Sequence, residues 1–265
     1  MKKNFLIFLL LFLTKNVFAQ INHFNIFKPY QATLCCPVNV YGLEIQMNYI
    51  VINSQTAELQ IPVSLYWGLM ENLEVGVQFV GISRSKQEEV EKGVGDILVG
   101  TKCNFLQEKK EMPIPSVSFE FGVSLPTGDY KKMFGIGSVG FVINWLFEKN
   151  IVLRSQHEFN LMFNLGYKVN TQNYDEYKFG DSLFYTFGSF FNIKENIIYS
   201  FGVKGENKKY DEYKKTKVVN TEINDSYIFC GISYDLDIYK RFFTSISIGI
   251  TEDAKDLVFN IGMMY

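Results

Sequence analysis

The last two dozen residues, Phe242 to Tyr265, constrain this chain most. Phe242, Ile246, Ile248 and Ile250 share one face while Phe243, Ser245, Ser247, Gly249 and Thr251 share the other. A second segment repeats the pattern, with Leu257, Phe259, Ile261, Met263 and Tyr265 opposing Asp256, Asn260 and Gly262. Successive side chains of a strand point to opposite faces, so a period of two with a continuous apolar face predicts strands that meet lipid on one side and a polar interior on the other.

The same period runs back along the chain to Tyr41 and predicts twelve strands, at 41–52, 56–68, 72–84, 94–106, 115–126, 138–148, 151–168, 182–193, 197–206, 223–235, 242–251 and 256–265. Met70-Glu71-Asn72, Glu148-Lys149-Asn150 and Lys194-Glu195-Asn196 read as tight turns, whereas 85–93, 127–137, 169–181 and 207–222 read as long polar connections. Alternation of short turns with long loops, and an even strand count, predict an all-β transmembrane antiparallel up-and-down barrel of outer-membrane type. In such a barrel the last strand pairs back to the first near Tyr41. A soluble β-sandwich gives the same period but does not account for apolar sets rich in Phe, Tyr and Leu on every strand. Tyr41, Trp67, Phe105, Trp145, Phe147 and Tyr265 fall near strand ends, where aromatic girdles lie.

The charged residue of each strand consistently joins the small polar set, which assigns an interior face. Those positions are Glu44, Gln46 and Asn48, then Glu58 and Gln60, Glu74 and Gln78, Asp96, Lys102 and Asn104, Glu120 and Asn144. Arg154, Gln156, Glu158, Asn160 and Asn164 follow, and finally Ser200 and Lys204. A Lys or Arg facing lipid at mid-membrane costs about 2 to 4 kcal/mol, so a consistent placement on one side is what a membrane barrel requires. These residues are expected to line a lumen with an acidic surplus, which argues against an arginine-lined anion channel. Twelve strands lie between filled small barrels and wide porins, so the lumen should be narrow or partly plugged.

The amino terminus reads as an export address. Lys2 and Lys3, the apolar run Phe5 to Leu13 and the exit Val17-Phe18-Ala19 predict a signal peptide at 1–19, cleaved after Ala19. That run is shorter than the roughly 20 residues a membrane helix needs. Residues 20–40, with Pro29 and Pro37, have no strand pattern and are expected to form a periplasmic or plug segment, leaving 41–265 as the barrel. The chain holds 25 Phe and 16 Tyr against 6 Pro, spread along its length, which suits one large sheet. A net charge of −2 without a basic patch gives no case for nucleic acid. Cys35 and Cys36 are adjacent, Cys103 and Cys230 sit inside predicted strands, and no spacing resembles a metal site.

Two neighbouring stretches carry a family resemblance. Gly93-Val94-Gly95-Asp96, opening one strand, and Pro126-Thr127-Gly128-Asp129, closing the next, resemble the outer-membrane barrel family named for the meta-pathway of phenol degradation. The matching positions are Gly95, Asp96, Pro126, Thr127 and Gly128. The resemblance implies a transporter barrel for small, often aromatic or apolar, compounds. Read from the residues alone, the glycines ease entry into a strand, Pro-Thr-Gly ends one, and Asp96 at the rim pairs with Lys102 or another interior cation. The terminal strand ending in Tyr265 resembles the signal that such barrels present to their assembly machinery. The implied partners are outer-membrane lipid, that machinery and a small-molecule solute. The alternative is a surface barrel with a filled lumen and working loops.

Chemistry of its own is not expected, nor a cofactor. The chain has only His23 and His157, and His157 lacks the serine two residues on that an outer-membrane phospholipase pattern requires. No helix pattern follows Gly95, so a glycine-rich phosphate cradle is rejected. Tyr174-Asp175-Glu176-Tyr177-Lys178 recurs as Tyr210-Asp211-Glu212-Tyr213-Lys214, and in a chain rich in these residues the repeat reads as chance.

Overall fold

The computed structural model describes Asn39 and residues 41–265 apart from 54, 87–88, 109–113, 133, 153–157, 195 and 237–239. The expected signal peptide, cleavage site and most of the 20–40 segment, with Cys35 and Cys36, lie outside the described residues. The chain folds as β1 (Tyr41–Asn53), β2 (Thr56–Met70), β3 (Leu73–Lys86), β4 (Glu89–Val94), β5 (Ile97–Leu106), β6 (Ser116–Leu125), β7 (Gly140–Val152) and β8 (Glu158–Asn170). It continues through β9 (Tyr177–Lys178), β10 (Ser182–Lys194), β11 (Ile197–Lys208), β12 (Glu212–Tyr213), β13 (Thr216–Lys217), β14 (Ile223–Asp235), β15 (Arg241–Gly249) and β16 (Leu257–Met264). A single-turn 3-10 helix at Tyr130–Lys132 interrupts the connection before β7.

Neighbouring long strands pair antiparallel throughout, and β16 pairs with β1 from Glu44↔Met264 to Val51↔Leu257, so the sheet closes on itself. Reciprocal backbone bonds between Leu43 and Tyr265, at 2.6 and 2.7 Å, extend that seam to the last residue. Closure leaves no unpaired edge, which is the condition for strands to cross a membrane. Excluding the short β4, β9, β12 and β13, the wall has the twelve strands the alternation predicts.

Burial follows the same period. In β1 the residues from Glu44 to Ile50 alternate buried and exposed, with Glu44, Gln46, Asn48 and Ile50 inside and Ile45, Met47 and Tyr49 outside. In β6 Ser116, Ser118, Glu120, Gly122 and Ser124 are the buried set. Outward aromatics gather toward the end that carries Tyr41 and Tyr265: Tyr41 stacks on Trp67 at 5.7 Å, and Phe119 packs against Trp145 at 4.9 Å with Phe105 beside them.

Four expectations about the strands and their connections need correction. Glu148-Lys149-Asn150 is not a turn: β7 runs on to Val152 and these residues pair with Met162, Leu161 and Asn160 of β8. The neighbouring connection meets part of their polar character, because Glu108 forms an ion pair with Lys149 and accepts the Asn150 backbone amide at 2.7 Å. The stretch 85–93 is not simply a loop, since β4 pairs with the far half of β3 from Gly81↔Val94 to Lys86↔Glu89 and projects the wall beyond the barrel mouth. Val94 therefore ends β4, and the wall strand expected from 94 starts at Ile97. Nor do short and long connections alternate strictly: β1 and β2 join by a tight turn at the long-loop end, and 107–115 is a longer connection at the opposite end.

Candidate functional site

The barrel interior has two walls of different chemistry. Along the strands β3, β5, β6 and β7, register places Glu74 opposite Lys102, Lys102 opposite Glu120, and Glu120 opposite Asn144. Directly opposed side chains lie within contact range, so this row is one electrostatic unit. All four are buried, and Glu74 and Lys102 have no accessible surface. Asn144 Nδ2 donates to Glu120 Oε2 at 2.8 Å. Nearer the seam, Glu44 accepts the Tyr66 hydroxyl at 2.5 Å and the Gln46 amide. Neutral pairs continue this wall: Gln78 donates to Ser64 and Asn104 to Ser118, both at 3.0 Å, while Asn260 of β16 donates to Ser245.

On the far side, interior positions of β8, β10, β11, β14 and β15 carry Met162, Phe190, Ile198, Phe229 and Phe243, which pack as one cluster. Glycines make room for the rings. Phe184 faces Gly166, Phe229 faces Gly202 and Phe243 faces Gly262 in the antiparallel register. A Cβ on Gly166 would come within 2.0 Å of the Phe184 ring, one on Gly202 within 2.7 Å of the Phe229 ring and one on Gly262 within 2.4 Å of the Phe243 ring. Each ring thus lies against a neighbouring strand where a side chain would stand, a known way of covering glycine in sheets.

Toward the long-loop end, Arg84 forms an ion pair with Glu58 at 2.6 Å, donates to the Lys132 carbonyl at 2.9 Å and lies 5.0 Å from the Phe134 ring centre. Phe134 is 4% exposed, so the connection between β6 and β7 packs down against the inside of β3 and β4. The family-motif residues hold it there. Asp96 accepts the Gly128 amide at 2.9 Å and the Ile136 amide at 2.8 Å, while Thr127 Oγ1 accepts the Ile97 amide at 2.8 Å and donates to the Gly95 carbonyl at 3.3 Å. A Cβ on Gly128 would meet the Gly135 Cα at 2.9 Å, and one on Gly135 would strike the Asp96 carboxylate at 2.3 Å. Asp96 is thus placed between strands as a loop clasp rather than on the interior face, and its carboxylate bonds loop amides instead of pairing with Lys102. Two aligned amides already satisfy that charge.

The remaining assigned positions fall as follows. Glu58, Gln78 and Lys204 are buried inside, and Gln60, half-buried, donates to Glu58. Lys204 lies 5.5 Å from the Tyr227 ring, whose hydroxyl donates to Asp225 at 3.2 Å. Asn160 is half-buried; Asn164 and Ser200 are buried. Glu158 opens β8 opposite Val152. Arg154, Gln156 and His157 lie outside the described residues. Sequence reasoning misses Tyr66, Arg84, Phe134 and most of the aromatic wall. A detectable signal exists: a glycine and an aromatic falling opposite each other on adjacent strands.

The repeated loop motif forms a second feature, at the mouth. β12 pairs with β9 through Glu212↔Lys178 and Tyr213↔Tyr177, so the two copies join in one small sheet. Their atoms serve different ends: the Tyr177 hydroxyl donates to Asp211 at 2.6 Å, and Asp211 also accepts the Gly180 amide and pairs with Lys208, both at 2.7 Å. Burial, with the Asp211 contact adding to it, pushes the Tyr177 phenol up to about 12. Tyr130 donates to Asp175 and its phenol is raised by that bond, which ties the clasped loop to the same sheet.

Comparison with known proteins gives a family and a fold. The family model described as "Putative MetA-pathway of phenol degradation" matches residues 52–265. Among solved structures, an outer membrane channel from Pseudomonas putida F1 superposes with a TM-score of 0.71 at 10% identity, covering 88% of this chain and 97% of that one. The NanC porin superposes with a TM-score of 0.54 at 9% identity, covering 84% and 98%. At such identities the likeness is one of fold. No curated protein sequence matches this chain.

Proposed function

This chain belongs to the family of the MetA-pathway of phenol degradation, and on that premise we propose that it is a bacterial outer-membrane channel for the passive passage of small solutes, including small apolar and aromatic compounds. The observation that carries the reading is the interior itself: a closed wall holds a charged, hydrogen-bonding face opposite an aromatic one. A filled barrel needs only apolar or neutral packing, whereas a buried charge row is costly to keep and marks a pathway in membrane proteins. The buried interior positions assigned from the sequence, Asp96 excepted, are the groups a solute meets. Lipid covers the outward face, and the terminal strand ending in Tyr265 is the element offered to the assembly machinery. The chain performs no chemistry on what it passes.

Because Glu74, Lys102 and Asn48 have no accessible surface, passage requires interior side chains to move. The same shielding favours a second reading, a sealed surface barrel whose tied loops are the working part. Liposome swelling separates the two. Refolded full-length protein should make liposomes swell in an isosmotic small-solute solution faster than protein-free ones, and a deletion strain should lose uptake of small aromatics. Swelling no faster than the control, with uptake intact, ends the channel reading.

A further inference from the structure

The polar wall is built to offer acceptors rather than donors. Asn144 and Gln46 each turn their NH2 group onto a carboxylate, of Glu120 and Glu44 respectively, and this fixes the orientation of both amides. What remains is Asn144 Oδ1, Gln46 Oε1 and Glu120 Oε1, each buried and, among the described residues, without a hydrogen-bond partner. Asn144 and Gln46 are 2% exposed and Glu120 4%. Buried unsatisfied oxygens are costly, more so when charged, so a sheet that keeps them facing a common interior is prepared for something that donates. Charge points the same way. In the row of Glu74, Lys102 and Glu120 one lysine stands between two carboxylates, Glu44 adds a third nearer the seam, and the buried Lys204 on the facing side is accompanied by two buried carboxylates, Glu206 and Asp225. Across the lumen the cluster of Phe190, Phe229 and Phe243 offers apolar surface and ring faces, which attract both aromatic bodies and cations.

We propose that the solute class of this lumen is an organic cation with an apolar or aromatic body, an arylalkylammonium, whose N–H groups meet the adjacent Glu120 and Asn144 oxygens while its body lies on the aromatic wall. This rests on the passage reading and narrows it. A carboxylate or sulfonate of the same size meets orphan acceptors and surplus negative charge, so the wall rejects it by leaving its own oxygens unpaired.

Planar-bilayer recording on the refolded full chain tests this, with opposing gradients of benzylammonium chloride and sodium benzenesulfonate. The reversal potential should show benzylammonium several-fold more permeant than benzenesulfonate. Glu120→Gln, which keeps the shape, should lower that ratio at least twofold, and Asn144→Leu, which removes the orphan carbonyl, should lower it by a smaller factor, while Glu222→Gln in an exposed loop should not change it. Heat-modifiable migration confirms that each variant is folded. Benzenesulfonate as permeant as benzylammonium, or a ratio indifferent to both interior substitutions, overturns the proposal. Current in potassium chloride with no discrimination defeats this inference alone, whereas no current in any salt defeats the passage reading with it.

Discussion

Across the interior, the row Glu74, Lys102, Glu120 and Asn144 stands on an arc nearly opposite the packed rings of Phe190, Phe229 and Phe243, and the two arcs hold their strands to different purposes. The aromatic arc behaves as a protein core: rings interlock with glycines on adjacent strands, and each contact removes apolar surface from water. The charged arc contributes little net stability, because desolvation offsets much of the attraction among its ions. One arc therefore sets how firmly the barrel stands, and the other, on the proposed reading, sets what it admits.

The comparison can be broken most sharply on the aromatic side. Phe229→Ala should destabilise the folded barrel by about 3 to 5 kcal/mol, measured by urea unfolding in lipid vesicles, with ion selectivity retained. Next comes a test of which face is which: Ile261→Lys, pointing at lipid, should cost about 2 to 4 kcal/mol and reduce membrane insertion, whereas Asn260→Lys should insert. Equal tolerance at the two positions would overturn the facing on which both arcs are defined. On the charged side, Glu120→Gln should change stability by only about 1 kcal/mol or less, since its amide oxygen still accepts from Asn144. A loss as large as that of Phe229→Ala would show that the charged arc is structural after all.

The smallest effect lies outside both arcs, in the loop sheet. Tyr177→Phe should loosen the joint between the repeated motifs by about 1 kcal/mol and leave the barrel unchanged, read by hydrogen exchange at the amides of 177–181 and 211–217. Its pH dependence has a definite sign. The folded phenol is raised to about 12, above the ordinary value near 10, so its contribution is whole below about pH 10 and is lost as the pH climbs toward 12. The Phe variant should show no such alkaline step.

The charged arc is legible in the sequence, because a strand that puts Glu44, Glu58 or Glu120 among small polar residues has only one face to hide them on. The aromatic arc is not. Phe243 sits in sequence among Ser245, Ser247 and Gly249, and its inward facing follows from the period, yet its packing depends on Gly262, which only strand register brings opposite. Tertiary partners explain the failures as well. Glu148-Lys149-Asn150 has turn-like composition, but Glu108 from the adjacent connection holds Lys149 and the Asn150 backbone amide in a strand. Alternation alone carries Asp96 into the interior, whereas the amides that claim it come from a loop more than thirty residues on. The repeated Tyr-Asp-Glu-Tyr-Lys motif reads as chance in the sequence, and the fold sets the two copies side by side.

The central claim, that solute passes between these two arcs, is tested most directly by one measurement. A full-length protein with its four cysteines replaced, carrying Ser247→Cys on the interior of β15, is recorded in a planar bilayer while a cationic methanethiosulfonate reagent is added. Ser247 has no accessible surface, so modification requires the opening that passage requires. The current should fall as the reagent reacts, with no fall for Ile248→Cys on the lipid face. A current that persists unchanged through modification at residue 247 would contradict it.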